Sequence, residues 1–244
     1  MAFKNYGSHI MLWLSLLFIT GQVEISNAQI HSGVYITDVK NIRHELKITD
    51  NYITHSAYQI APAKFIKTVG GFYTVDNNIL KIELEFNSAH ETNGLTELAL
   101  PIIIADEKLT LPMDGELEFV KKEFLQQDLD GTWLFATRGP DKGQERRGDE
   151  NTRKTLKFLQ DGHFQWIAYN TDTMEFFGTG GGAFTSKNGT YTENIEYFSR
   201  DDSRVGATLD FTYQIKKGDW HHKGKNSKGE PMYEIWARRV SSQM

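Results

Sequence analysis

The chain has 244 residues, no cysteine, and 27 Lys and Arg against 32 Asp and Glu, for a formal net charge of −5. The two signs are interspersed, which disfavours a nucleic-acid or anionic-membrane partner. The lack of cysteine excludes disulfides, a thiol nucleophile and a lipid-modified N-terminal cysteine, so folding must rest on buried cores alone.

The chain opens with a signal-peptide layout. Lys4 supplies a basic region, Ile10–Thr20 an apolar run, and Ser26-Asn27-Ala28 small residues at the −3 and −1 positions. Residues 1–28 are therefore expected to be a signal peptide cleaved after Ala28, which makes the mature protein exported, periplasmic or extracellular. A retained anchor is the alternative, but the run is short for a bilayer core of about 30 Å, and no membrane span is expected after cleavage.

From Gly33 the sequence reads as short strands: Val34–Thr37, Glu45–Ile48, Tyr52–Tyr58, Phe65–Thr74, Ile79–Phe86, Leu95–Ala105, Lys108–Leu111 and Glu116–Lys122. Thr49-Asp50-Asn51, Asp76-Asn77-Asn78 and Asp114-Gly115 supply turns. Residues 29–122 form a first unit of about eight strands, and 123–130 (EFLQQDLD) a linker. The second unit, 131–240, opens at Gly131-Thr132-Trp133. Its charged, glycine-rich segment 139–151 reads as a mobile surface loop. Asp161-Gly162 and Asn188-Gly189 then stand between alternating apolar runs, the strongest short-range hairpin signals, because both central residues of a type I′ turn need a positive φ.

The second unit repeats the first. Leu46-Lys47 answers Leu156-Lys157, and Ala57-Tyr58 answers Ala168-Tyr169. Gly70-Gly71 answers Gly181-Gly182, and Leu84-Glu85-Phe86 answers Ile195-Glu196-Tyr197. Neither unit shows sustained helical periodicity, and sequential antiparallel strands of this kind suggest up-and-down barrels, which leave no free edge. The expected fold is all-β: two tandem barrels of about eight strands each.

Gly131-Thr132-Trp133 on a first strand and Arg238 or Arg239 on a last strand resemble the calycin, or lipocalin-like, structural signature. That resemblance implies a tryptophan at the closed end of the barrel covered by an arginine. Residues 131–239, with Gly180-Gly181-Gly182, Tyr191-Thr192-Glu193 and Tyr233-Glu234-Ile235-Trp236-Ala237-Arg238, also resemble a lipocalin-like domain of exported bacterial proteins. In the first unit Gly33-Val34-Tyr35 and Lys121-Lys122 are degraded counterparts.

Alternation then assigns inward faces. Ile82, Leu84 and Phe86 point inward, so their partners Glu193, Ile195 and Tyr197 should too. Phe164, Trp166, Ala168 and Asn170 share an inward face, as do Val205–Ile215 at alternate positions including Tyr213. In the last strand Tyr233, Ile235 and Ala237 compete with Glu234, Trp236 and Arg238 for that face. A carboxylate among apolar walls is costly unless water, a partner or a ligand satisfies it. Glu193 with Trp166, Asn170, Tyr197, Tyr213 and Tyr233 is therefore the candidate ligand-binding set, although Trp166 reads as core before ligand wall. Catalytic and metal signals are weak: no Gly-x-Ser-x-Gly elbow is present, and adjacent His221 and His222 point to opposite faces of a strand. His221 and His222 read as surface residues, and Trp220 beside them as exposed. No catalytic residue, metal or cofactor is assigned. The expected function is non-enzymatic binding of a small, partly apolar molecule in a barrel pocket. The alternatives are an enzyme acting on a sugar or lipid with Glu193 as acid or base, and an interaction module with filled barrels.

Overall fold

A computed structural model of the chain describes residues 1, 29–113, 115–226 and 229–239. The expected signal peptide and Asp114 of the Asp114-Gly115 turn lie outside the described residues. The first unit comprises β1 (Gly33–Val39), β2 (Ile42–Ile48), β3 (Tyr52–Gln59), β4 (Lys64–Asp76), β5 (Ile79–Asn87), a single helical turn α1 (His90–Asn93), β6 (Glu97–Pro101), β7 (Ile103–Ala105), β8 (Lys108–Leu111) and β9 (Leu117–Lys121). The second comprises β10 (Gly131–Arg138), β11 (Arg153–Gln160), β12 (His163–Asn170), β13 (Phe176–Lys187), β14 (Thr190–Phe198), β15 (Thr208–Lys216), β16 (Asp219–Lys225) and β17 (Pro231–Arg238). All ladders are antiparallel.

The eight strands of the second unit form a closed barrel in which β17 returns to pair with β10. The first unit is a nine-stranded sheet in the order β6-β5-β4-β3-β2-β1-β9-β8-β7. The stretch expected as one strand, 95–105, is split at Pro101-Ile102, and its halves lie on opposite edges of the sheet. Proline cannot donate to a ladder. The Ile102 N–H instead donates to the Asn78 carbonyl at 2.8 Å, and its side chain is buried in the core. This unit is therefore nearly closed, a corner of the chain joining its two unpaired edge strands, and it has nine strands rather than about eight.

The repeat extends to irregularities. The β4–β5 register slips between Gly70 and Gly71, and the β13–β14 register slips between Gly181 and Gly182. A β-carbon on Gly71 would lie 1.8 Å from the Glu83 carbonyl oxygen, and one on Gly182 2.1 Å from that of Asn194. Only glycine fits such close backbone approach. Each bulge leaves a glutamate, Glu85 or Glu196, without a ladder partner and inverts the side-chain phase beyond it. Leu80, Ile82 and Leu84 therefore fill the first core, whereas Phe86 turns outward. Tyr191 and Ile195 fill the second, whereas Tyr197 turns outward. The expected inward placement of Phe86 and Tyr197 fails because strict alternation does not survive a one-residue insertion.

Part of each unit's outward face is buried rather than solvated. Tyr52 and Phe86 of the first unit cluster with Leu134, Phe158, Ile167 and Tyr169 of the second. A polar layer crosses the same interface. Glu85 accepts from Tyr52 and Tyr169, each at 2.8 Å, from Lys154 at 3.2 Å, and from both terminal nitrogens of Arg239 at 2.7 Å. Glu196 accepts from Tyr58 at 2.7 Å, the counterpart of the Tyr169–Glu85 bond. Glu45 pairs with Lys47 and lies 2.9 Å from His163 Nδ1. Segment 139–151, expected to be mobile, is tied down: Arg146 bonds Asp219 at 2.7 Å, and Asp149 bonds Lys154 at 2.7 Å.

At the closed end of the second barrel the Arg238 guanidinium lies 4.2 Å above the Trp133 ring and donates to the Asp130 carbonyl at 2.8 Å. Trp133 Nε1 donates to Leu129 O at 2.9 Å, so the 123–130 segment serves as a floor as well as a linker. Tyr35 OH donates to His31 O at 2.8 Å in the corresponding place. Trp220, expected to be exposed, is fully buried edge-on to Trp133 at 5.7 Å. Truncating either indole leaves a void in the same packed core cluster, so Trp220→Ala is expected to lower stability within about 1 kcal/mol of Trp133→Ala. Urea unfolding of the two variants checks this.

Candidate ligand-binding cavity of the second barrel

The two barrel interiors differ in content. Leu46, Ile53, Leu80 and Ile82 pack around a residual void of only about 10 Å³ in the first. The second retains a cavity of about 260 Å³. This cavity is built where β11, β12, β14, β15, β16 and β17 face one another.

Lys157 enters from β11. The two-residue Asp161-Gly162 connection sets the β11–β12 register, in which Lys157 lies opposite inward-facing Trp166. Its flanking residues Leu156 and Phe158 belong to the inter-unit cluster, so alternation directs Lys157 inside. There its ammonium meets Glu193 Oε1 at 2.8 Å, and Tyr191 OH donates to the same oxygen at 2.8 Å. Tyr191 and Glu193 are two apart on β14 and share one face. The ammonium also lies 4.9 Å from the ring centre of Tyr191, 5.0 Å from Trp220, 5.3 Å from Trp236 and 5.9 Å from Phe211. Cation–π attraction and one carboxylate together compensate its desolvation.

His222 and Glu234 face this pair from β16 and β17. His222 is 1% exposed, and its Nδ1 lies 3.7 Å from Glu234 Oε2. Neither ring nitrogen has a hydrogen-bond partner among the described residues. Burial, and secondarily the Lys157 charge, push its pKa down to about 4, so the ring is neutral at ordinary pH. Burial alone would raise Glu234, but His222 and Lys157 beside it hold the carboxyl below the usual range. Trp236 Nε1 donates to Glu234 Oε2 at 3.2 Å. Trp166 and Phe198, in edge contact at 5.5 Å, supply apolar wall.

Of the sequence-derived set, Trp166 and Glu193 line the cavity, with Glu193 only 5% exposed. The other four do not. Asn170 Oδ1 caps a turn, accepting from the amides of Asp172 at 2.9 Å and Thr173 at 3.3 Å. Tyr197 lies in the inter-unit face, its hydroxyl 3.3 Å from Ser56 Oγ and its ring 4.5 Å from Tyr58. Tyr213 belongs to the barrel core but bonds Asp128 in the floor segment. Tyr233 points away from the cavity, its hydroxyl 2.8 Å from His221 Nδ1, because Glu234 and Trp236 take the inward phase of β17. Sequence reasoning passed over Lys157, and it put His222 on the surface. The register imposed by Asp161-Gly162 pointed to the first, and the shared phase of Trp220 and His222 to the second.

No protein-family model matches the chain, and no curated protein matches its sequence. Among the described residues, no helix is long and apolar enough to cross a membrane, and no group of three or more His, Asp or Glu could hold a metal.

Proposed function

We propose that the protein is an exported, calycin-related binding protein whose second barrel takes up one small, partly apolar molecule without transforming it. The observation carrying this reading is the contrast between two repeats of one architecture, one filled and one with about 260 Å³ of open interior. That volume suits a compact molecule, just below the roughly 300 Å³ at which common ligand pockets begin. Aromatic walls with a few fixed polar groups are the usual make-up of such pockets. The Trp133–Arg238 contact supports the calycin kinship, and the leader-like 1–28 segment supports export. Glu193 is a poor acid or base, since one of its oxygens already accepts from Lys157 and Tyr191.

Native mass spectrometry of protein purified from its own cell envelope tests the proposal. The expected result is a retained small-molecule mass that is lost in Leu209→Trp, a substitution that fills the cavity. A bare chain mass under gentle conditions would overturn it.

A further inference from the structure

We propose that the cavity of the second barrel reads an uncharged hydroxyl group on a compact apolar molecule, with the buried ring of His222 as its hydrogen-bond acceptor. This inference rests on the reading of that barrel as a binding site and gives its ligand a chemical class.

The charges of the site are matched from within. Lys157 and Glu193 form a pair at 2.8 Å. Against the effect of burial, His222 and Lys157 hold Glu234 ionised, and its Oε2 accepts from Trp236 at 3.2 Å. Arg204, which also lines the cavity, is itself partnered, and Lys225 is exposed to water. The lining therefore holds no counter-ion in wait for a charged ligand.

His222 is different. Of the buried polar side chains without a hydrogen-bond partner among the described residues, it is the one that lines this cavity. It is 1% exposed, and the rings of Phe211, Trp220 and Tyr191 pack round it with centres 4.4, 5.0 and 5.7 Å away. An unmatched nitrogen in such surroundings is costly, and a ligand group that meets it recovers that cost.

The neighbours also decide which kind of group fits. Ionised Glu234 can accept but not donate, and its Oε2 lies 3.7 Å from Nδ1. That favours the ring proton on Nδ1 and leaves the Nε2 lone pair as an acceptor. The ligand group must then donate. An ammonium donates, but it would stand beside Lys157, and burial together with that same charge keeps the ring unprotonated. A carboxylate has no proton to give and would meet Glu193 and Glu234. An alcohol or phenol hydroxyl donates without charge, and Trp166 and Phe198 supply apolar wall for its body.

Titration calorimetry at neutral pH with four probes of similar size tests the proposal: benzyl alcohol, its isomer anisole, benzylamine and benzoate. Anisole has the atoms of benzyl alcohol but no O–H. The alcohol is expected to bind about tenfold more tightly than anisole, or better, because a site built to bond a hydroxyl rejects the analogue lacking it. Benzylamine and benzoate should bind more weakly than the alcohol. His222→Phe should erase the gap between alcohol and anisole, with a thermal melt verifying that the variant is folded. Nitrogen NMR of the parent should show His222 protonated on Nδ1, with benzyl alcohol shifting its Nε2 resonance. If the variant does not fold, the ranking and these resonances decide. Anisole binding as tightly as the alcohol, or tightest binding of the amine or benzoate, would overturn the inference and leave the binding reading intact. So would a ring protonated on Nε2, or a gap that persists in folded His222→Phe. Binding of none would overturn both.

Discussion

A Glu193→Ile variant is expected to be less stable than the parent by about 3–5 kcal/mol, the usual consequence of removing one partner of a buried ion pair. The repeat alone suggests the opposite, because Ile82 occupies the equivalent place in the first unit and fills its core. The difference lies across the barrel. Lys157 reaches Glu193 at 2.8 Å, and both side chains are almost wholly buried. Isoleucine would leave that ammonium with ring faces as its remaining attraction. A double variant, Lys157→Met with Glu193→Ile, is expected to recover most of the loss or exceed the parent, since well-packed apolar groups often equal a buried ion pair. Urea unfolding of the parent, both singles and the double closes the cycle. A stabilised Glu193→Ile single would show that the pair is not formed.

The second large effect is expected at the interface between the units. Glu85→Ala removes the acceptor shared by Arg239, Lys154, Tyr52 and Tyr169, leaving cations that are 4% and 8% exposed to find other partners. A loss of about 3–5 kcal/mol is expected, with Asp149 retaining part of the network. The same carboxylate gives the interface an acid limit. Burial alone would raise Glu85, but Arg239 and Lys154 pull its pKa from 4.5 down to about 2. Glu45, also buried, is held at about 2 by Lys47 and His163. A folded pKa below the unfolded value contributes stability that is fully present above the unfolded pKa and is lost as pH falls through the folded one. Stability should therefore decline from about pH 4.5 towards pH 2. Glu85→Gln should flatten that decline, and urea midpoints measured across this range report it.

The architecture was legible where the signal is local. Asp161-Gly162 and Asn188-Gly189 pair their flanking strands as expected, and Trp133 with Arg238 closes the second barrel as the signature implies. The failures have separate physical origins. In a sheet exposed on one face, polar residues mark the outside. Here β3 and β11 are buried on both faces, so Tyr52 and Phe158 look like core although they face away from it. The glycine pairs Gly70-Gly71 and Gly181-Gly182 are bulge sites. The resulting change of phase at Glu85 and Glu196 moves Phe86 and Tyr197 outward and is invisible to strict alternation. Part of the site stayed hidden for another reason. Lys157 and His222 are residue types that ordinarily prefer water, and only their partners across the barrel, far apart in sequence, explain why they turn inward.

The matched bonds Tyr169–Glu85 and Tyr58–Glu196 have a symmetry that neither barrel has by itself. Each unit offers a tyrosine and a bulge glutamate, and each receives the other's. That is the isologous contact of a two-fold homodimer, in which one patch meets its own copy. A single-barrel chain carrying both residues would make the contact twice on pairing with itself, and joining two such chains head to tail would preserve it. Once the partner is part of the same polypeptide, the copies no longer have to remain alike. One can fill its interior and act as a rigid platform, while the other keeps an ion pair, a neutral histidine and an open space inside.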